Sequence, residues 1–221
     1  MGHKPVGLVA PEVDRANRAV SACPTSRALA FPPTHHYKTS FRDSPVSGAV
    51  AGRSGVKFNL VDRIEHLSDE RIVAVKYVSL AEEYLADHFP TFPVLPGVMM
   101  LEALTQAAAW LLHRRTDFAC SMAVLKEARN VKYGTFVTPG GALRVEVELV
   151  KATGSGATFK ATGTVSDAVA VQARIELAYF NLGDKQPELA ELDRHLTEHN
   201  RRRWAVLQAQ SVEADAAVNN L

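Results

Sequence analysis

The sequence predicts an α+β domain in which one long, apolar helix lies against an antiparallel sheet. Two observations carry that expectation. From Val98 to Leu112 the chain reads VMMLEALTQAAAWLL, where only Glu102, Thr105 and Gln106 are polar, a pattern that suits a helix buried nearly all round. Downstream, SMAVLKEARNVKYG, GALRVEVELVKATG, GATFKATGTVSD and AVAVQARIELAYFNL alternate in polarity and are separated by Gly- or Asp-containing turns such as VTPGG and GSG. Closely connected antiparallel strands read this way, whereas a βαβ array would interleave helices.

The elements follow in chain order. In FNLVDRIEHLSDE, Leu60, Ile64 and Leu67 stand at helical spacing and predict a short amphipathic helix. RIVAVKYVSL is rich in β-branched residues and predicts a strand, and AEEYLADHFP a helical turn or loop. Pro90, Pro93 and Pro96 each fix φ and remove a backbone donor, so His88 to Pro96 is expected to be a stiff, defined loop. Pro96 and Gly97 then open the long helix, predicted from Gly97 to His113. After the four strands, Leu189, Leu192, Leu196 and Leu207 recur at near-helical spacing from Asp184 onward and predict an appended helix, with Arg201 to Arg203 on a solvated face.

This divides the chain into an N-terminal extension over 1–55, a folded domain over 56–183 and a helical tail over 184–221. The first 55 residues hold seven basic groups, three acidic ones and six of the eleven prolines, with no helical or alternating apolar period. A disordered extension is the expectation; the same composition is weakly similar to a transit peptide, and Val56 is a candidate alternative start.

Composition excludes several function classes. The 221 residues carry 25 basic and 24 acidic groups, a formal charge of +1, so no global field argues for nucleic acid or an anionic membrane as partner. Cys23 and Cys120 are the two cysteines and form no CxxC spacing, which argues against a disulfide framework or thiolate zinc site and favours a reducing, cytoplasmic setting. Val98–Leu112 is shorter than the roughly 20 residues of a bilayer span and is interrupted by Glu102 and Gln106, so no membrane helix is expected. His195 and His199 lack a third ligand, and no glycine loop suits a phosphate or dinucleotide. Neither a metal nor a cofactor is expected.

Chemistry concentrates around the long helix. At 100° per residue, Glu102, Thr105 and Gln106 fall within one arc. A lone polar residue on such a helix is often a satisfied core hydrogen bond, but burial of a carboxylate raises its pKa toward neutrality and makes Glu102 a candidate general acid. His88, pinned in the proline-rich loop, is a candidate base, and the first N–H groups of the helix form a place for a carbonyl oxygen gaining charge. Base, acid and oxyanion site suit abstraction of a proton next to a carbonyl with loss of water from the β carbon. The same parts also serve hydrolysis.

The stretch DHFPTFPVLPGVMMLEALTQAAAWLL resembles the signature of the FabZ-type (3R)-hydroxyacyl-[acyl carrier protein] dehydratases, with the His-Phe-Pro, Pro-Val, Pro-Gly-Val and Glu-Ala elements in order. FNLVDRI and LRVEVELVKATGSGATFKATGTV are similar to that family too, so the resemblance runs from about Phe58 to Leu182. It implies a hot-dog fold, an antiparallel sheet wrapped around a long central helix, and a homodimer sharing a continuous sheet, often a trimer of dimers. It further implies dehydration of a (3R)-hydroxyacyl-[acyl carrier protein] to the trans-2-enoyl product without a cofactor, in type II fatty acid synthesis. By that resemblance His88 removes the α proton and Glu102, facing it from the other protomer, assists departure of the hydroxyl. Gly97 and Val98 would hold the thioester carbonyl, and Gln106 would orient Glu102. Glutamate at 102 matches the plain dehydratase, since the isomerising relative usually carries aspartate.

Two positions depart from the family: Asp87 and Thr91 stand where glycine is usual. The carrier is acidic, and Lys126, Arg129 and Lys132 fall in the segment corresponding to the tunnel mouth, which makes them candidates for docking it. A hot-dog thioesterase and a non-catalytic acyl-binding or assembly subunit are the rival readings.

Overall fold

A 19-residue helix, Gly97–Arg115, occupies the place predicted for it and organises the rest of the chain. The computed structural model describes residues 58–89 and 91–218; the expected extension over 1–55 lies outside them. Among the described residues the order is β1 (Arg63–Leu67), β2 (Arg71–Tyr77), α1 (Glu83–Asp87), α2 (Gly97–Arg115), β3 (Met122–Tyr133), β4 (Ala142–Thr153), β5 (Gly156–Val165), β6 (Ala168–Phe180) and α3 (Ala190–Val218). Two single 3-10 turns, Leu182–Asp184 and Pro187–Leu189, lead into α3. No described helix is long and apolar enough to cross a membrane.

The six strands form one antiparallel sheet in the order β1-β2-β4-β5-β6-β3. α2 touches β2 through β6 and is wrapped by them, which is the hot-dog arrangement. Strand alternation explains the core: Leu143, Val145 and Val147 of β4, Phe159 of β5, and Ile175 and Leu177 of β6 are at most 1% exposed and meet Leu104, Ala107, Ala108 and Leu111 of α2 in one cluster. Each large side chain buried there contributes on the order of 2 kcal/mol. At the β5–β6 pairing the backbones approach so closely that a Cβ on Gly156 would lie 2.1 Å from the Leu177 carbonyl oxygen.

The predicted helix at FNLVDRIEHL is instead the edge strand β1. Glu65 is an extra residue in the β1–β2 ladder: Ile64 pairs with Ala74 and Leu67 with Ile72, and the register shifts between Ile64 and His66. Ala74 and Ile72 share a face, so the bulge puts Ile64 and Leu67, three residues apart, on that same face. A strand with one bulge therefore reproduces the i, i+3 spacing of a helix.

The tail is helical as predicted, but its buried stripe differs. Leu192 is 44% exposed, whereas Asp193, Trp204 and Leu207 are buried. Asp193 accepts hydrogen bonds from the Leu182 and Gly183 N–H groups at 3.0 and 2.7 Å, and from the Ser121 hydroxyl. Trp204 packs against Trp110 of α2 at 5.9 Å. Arg201 lies on an exposed face as expected, and from there its guanidinium stacks over Phe118 at 4.9 Å and pairs with Asp117, helping to attach the tail. Cys120, at the start of the segment that leads into β3, is 1% exposed.

Candidate active site

The loop bearing His88 is anchored on both sides. Upstream, α1 inserts Leu85, 2% exposed, into the core; downstream, Val94 and Leu95 are buried and the Leu95 N–H donates to the Val137 carbonyl at 2.8 Å. Between these anchors His88 caps the C-terminus of α1. Its half-buried imidazole lies edge-on to the Phe89 ring at 4.5 Å. Phe89 has φ 52°, a left-handed conformation that costs a non-glycine residue on the order of 1 kcal/mol or more. The Phe92 N–H closes the turn onto the Phe89 carbonyl at 2.8 Å. Thr91, one of the two positions that depart from the family, is exposed, and the left-handed residue of this loop is Phe89, directly after the histidine.

The start of α2 presents free donors. Pro96 is its N-cap and supplies no side-chain bond, and its carbonyl accepts from Met99 and Met100 at 2.9 and 3.1 Å. The Gly97 and Val98 N–H groups donate to nothing in the described chain, at the positive end of the helix dipole. Gly97 is tightly covered: a Cβ there would lie 3.1 Å from the Tyr133 ring. Tyr133, at the end of β3 and 50% exposed, is a site-lining residue that sequence reasoning missed. It sits in the Lys-Tyr-Gly end of an alternating strand, where nothing in the spacing singles it out.

Glu102 follows Gly97 by five residues, about 7.5 Å along the helix. It is half-buried rather than fully buried within one chain, because this end of α2 also leaves Val98 69% exposed. Gln106 holds it: the amide nitrogen donates to Glu102 Oε1 at 3.0 Å and to the Phe58 carbonyl at 2.9 Å, while the amide oxygen accepts from the Leu60 N–H at 2.9 Å. The same side chain thus aims the carboxylate and ties the segment before β1 to α2. Thr105, the third polar residue of the arc, turns back to the Leu101 carbonyl.

The structure brings together Glu102, Gln106 and the α2 N-terminus. No hydrogen bond or ion pair joins His88 to Glu102 among the described residues. Two clefts of the chain lie elsewhere, one between α3 and the α2–β3 connection, the other between Phe58, Trp110 and Arg203; neither is lined by His88 or Glu102. Lys126, Arg129 and Lys132 are exposed on β3, at the far edge of the sheet. Lys126 pairs with Glu176 at 2.6 Å and Arg129 with Glu127 at 2.6 Å, leaving Lys132 as the cation of the three without an ion pair among the described residues.

Comparison with known proteins places this arrangement. The FabA-like domain family matches residues 54–174. A protein named 3-hydroxyacyl-[acyl-carrier-protein] dehydratase FabZ from Clostridium perfringens is 38% identical over 121 residues, 55% of this chain and 87% of that protein. A FabZ of the same name from Solibacter usitatus is 36% identical over 136 residues, 61% of this chain and 84% of the other. Among solved structures, the dehydratase heterocomplex ApeI:P from Xenorhabdus doucetiae aligns with a TM-score of 0.49 at 19% identity, covering 60% of this chain and 90% of that one. Because the sequence likeness spans most of each FabZ relative, and spans β1 through most of β6 here, the chain belongs to the FabA-like family and, within it, to the FabZ-type dehydratases.

Proposed function

We propose that this protein converts a (3R)-3-hydroxyacyl thioester on acyl carrier protein to the trans-2-enoyl thioester and water. The observation that carries the reading is the head of α2, where unpaired Gly97 and Val98 N–H groups lie about one and a half turns from a carboxylate aimed by Gln106. The relatives named FabZ support the substrate class.

In this reading the thioester carbonyl accepts from the Gly97 N–H, with the helix dipole favouring charge on its oxygen. The His88 imidazole takes the proton from C2, the C2–H electron pair becomes the C2–C3 double bond, and the C3–O bond breaks. Glu102 gives its proton to the departing hydroxyl, directly or through water, so that water leaves. Transfer of the proton from imidazolium to carboxylate restores both groups. No cofactor enters this sequence of steps.

The reading includes a homodimer in which each histidine faces the partner's glutamate, in keeping with the lack of a hydrogen bond or ion pair between the two within one chain among the described residues. The edge strand β3 supplies a 12-residue ladder for a continuous sheet, and three such dimers would make a hexamer. Carrier docking is assigned to Lys126, Arg129 and Lys132. The two ion pairs there are exposed and weak, so an acidic carrier can replace the partners.

The test is incubation with 3-hydroxyacyl thioesters of several chain lengths on carrier protein and on coenzyme A, following enoyl formation. Turnover is expected with the wild type and its loss, by about 10²-fold or more, in both His88→Ala and Glu102→Gln with the oligomer unchanged by light scattering. Absence of turnover at every chain length would overturn the reading.

A further inference from the structure

β2 carries a charge where a charge is costly. Ile72 through Lys76 are all buried, and alternation puts Lys76, 4% exposed, on the same face as the core residues Ile72 and Ala74. Its ammonium is answered by two carboxylates, Glu82 at 2.6 Å and Asp62 at 3.3 Å.

The two partners belong to different parts of the fold. Asp62 is part of the sheet: its backbone N–H donates to the Val75 carbonyl at 2.9 Å and its carboxylate accepts from the Tyr77 N–H at 2.8 Å. Glu82 is the N-cap residue of α1, yet its side chain makes no capping bond and turns to Lys76 instead. α1 has only five residues and ends at His88, so its orientation must come from outside, since so short a helix is not stable alone. Leu85 fills an apolar site, and a hydrophobic contact is non-directional. The Lys76–Glu82 bond is directional and fixes the rotation of α1 about that anchor. Beside it, burial and then the Glu82 carboxylate push the Tyr84 phenol well above its ordinary pKa.

A buried ion pair is a weak device for stability, because apolar packing of the same volume serves as well or better. Its advantage is that it specifies one geometry. We infer that Lys76 is a positioning residue that acts through Glu82 and α1 to set where the His88 imidazole stands. The inference rests on His88 being the base of the proposed reaction.

The experiment compares Lys76→Met and Glu82→Gln with Asp193→Asn, a variant weakened at the distant root of α3. Steady-state kinetics are measured on a 3-hydroxyacyl carrier thioester, and the His88 ring signal is followed by NMR, assigned by its absence in His88→Gln. In Lys76→Met kcat is expected to fall about 100-fold with KM changed by less than about threefold, the loss typical of a base displaced by about 1 Å. Glu82→Gln is expected to move in the same direction, and the His88 signal to shift or broaden in both. Asp193→Asn should leave the signal and kcat in place. An unchanged His88 signal in both junction variants, or an equal kcat loss in Asp193→Asn, overturns the proposal. If the wild type turns over no thioester, the dehydratase reading fails, and the His88 signal still decides whether Lys76 positions the imidazole.

Discussion

Lowering the pH from 7.5 to 5.0 should destabilise the fold by about 2 kcal/mol through His113 alone. His113 is 5% exposed, stacked on Phe118 at 5.6 Å and edge-on to Tyr179 at 5.4 Å. Burial pushes its imidazole from 6.5 down to about 4, against a smaller opposing effect of a hydrogen bond to the Cys120 backbone. In the unfolded chain the same group titrates near 6.5, so between pH 6.5 and 4 the unfolded state binds the extra proton. The stability associated with the neutral ring is therefore fully present above 6.5 and is lost as pH falls toward 4. At pH 5 the two titrations differ by a factor of about 30, or about 2 kcal/mol, rising to about 3 kcal/mol below pH 4. The assay is urea unfolding followed by Trp110 and Trp204 fluorescence at both pH values and one protein concentration, for the wild type and His113→Phe. Phenylalanine preserves the ring contacts and takes no proton, while the Tyr179 hydroxyl keeps Thr116 at 2.7 Å and the Cys120 N–H at 3.0 Å. The wild type should lose about 2 kcal/mol more than the variant between the two pH values. Equal losses would refute the assignment.

Gly156→Ala should destabilise by about 3 kcal/mol or more, since the new Cβ would meet the Leu177 carbonyl oxygen at 2.1 Å and only backbone displacement relieves that clash; a lowered urea midpoint is the measurement. Gly97→Ala should cost less than about 1 kcal/mol of stability, because the group it meets is the half-exposed Tyr133 ring at 3.1 Å, which can swing away. Its activity should nevertheless fall about tenfold, as the methyl crowds the N–H proposed to hold the carbonyl; unimpaired kcat would remove Gly97 from that role.

Much of the site was legible because its parts are local. The prolines flanking His88, the Pro96-Gly97 start of α2 and the Glu102–Gln106 spacing of one helical turn are each written within a few residues. The Gln106 bond to Glu102 needs only helix geometry, and the structure shows it. What escaped is non-local. Gln106 also grips Phe58 and Leu60, 48 and 46 residues away in sequence, and Tyr133 reaches Gly97 from the end of another strand. Lys76 did leave a signal, a lysine inside a β-branched strand, although its partners Asp62 and Glu82 come from either side of that strand and could not be paired by spacing.

The sequence alone determined the architecture, because apolar periodicity dictates which segments bury and turn chemistry dictates how strands connect: a helix apolar nearly all round, followed by four alternating strands, has few ways to hide its surface other than inside their sheet. Tertiary structure decided what periodicity cannot encode. A single bulge at Glu65 turned an apparent helix into β1, since one inserted residue changes the face of every residue after it. It also decided what holds each candidate residue, since His88 takes its position from the end of α1 while Glu102 takes its own from α2 and Gln106.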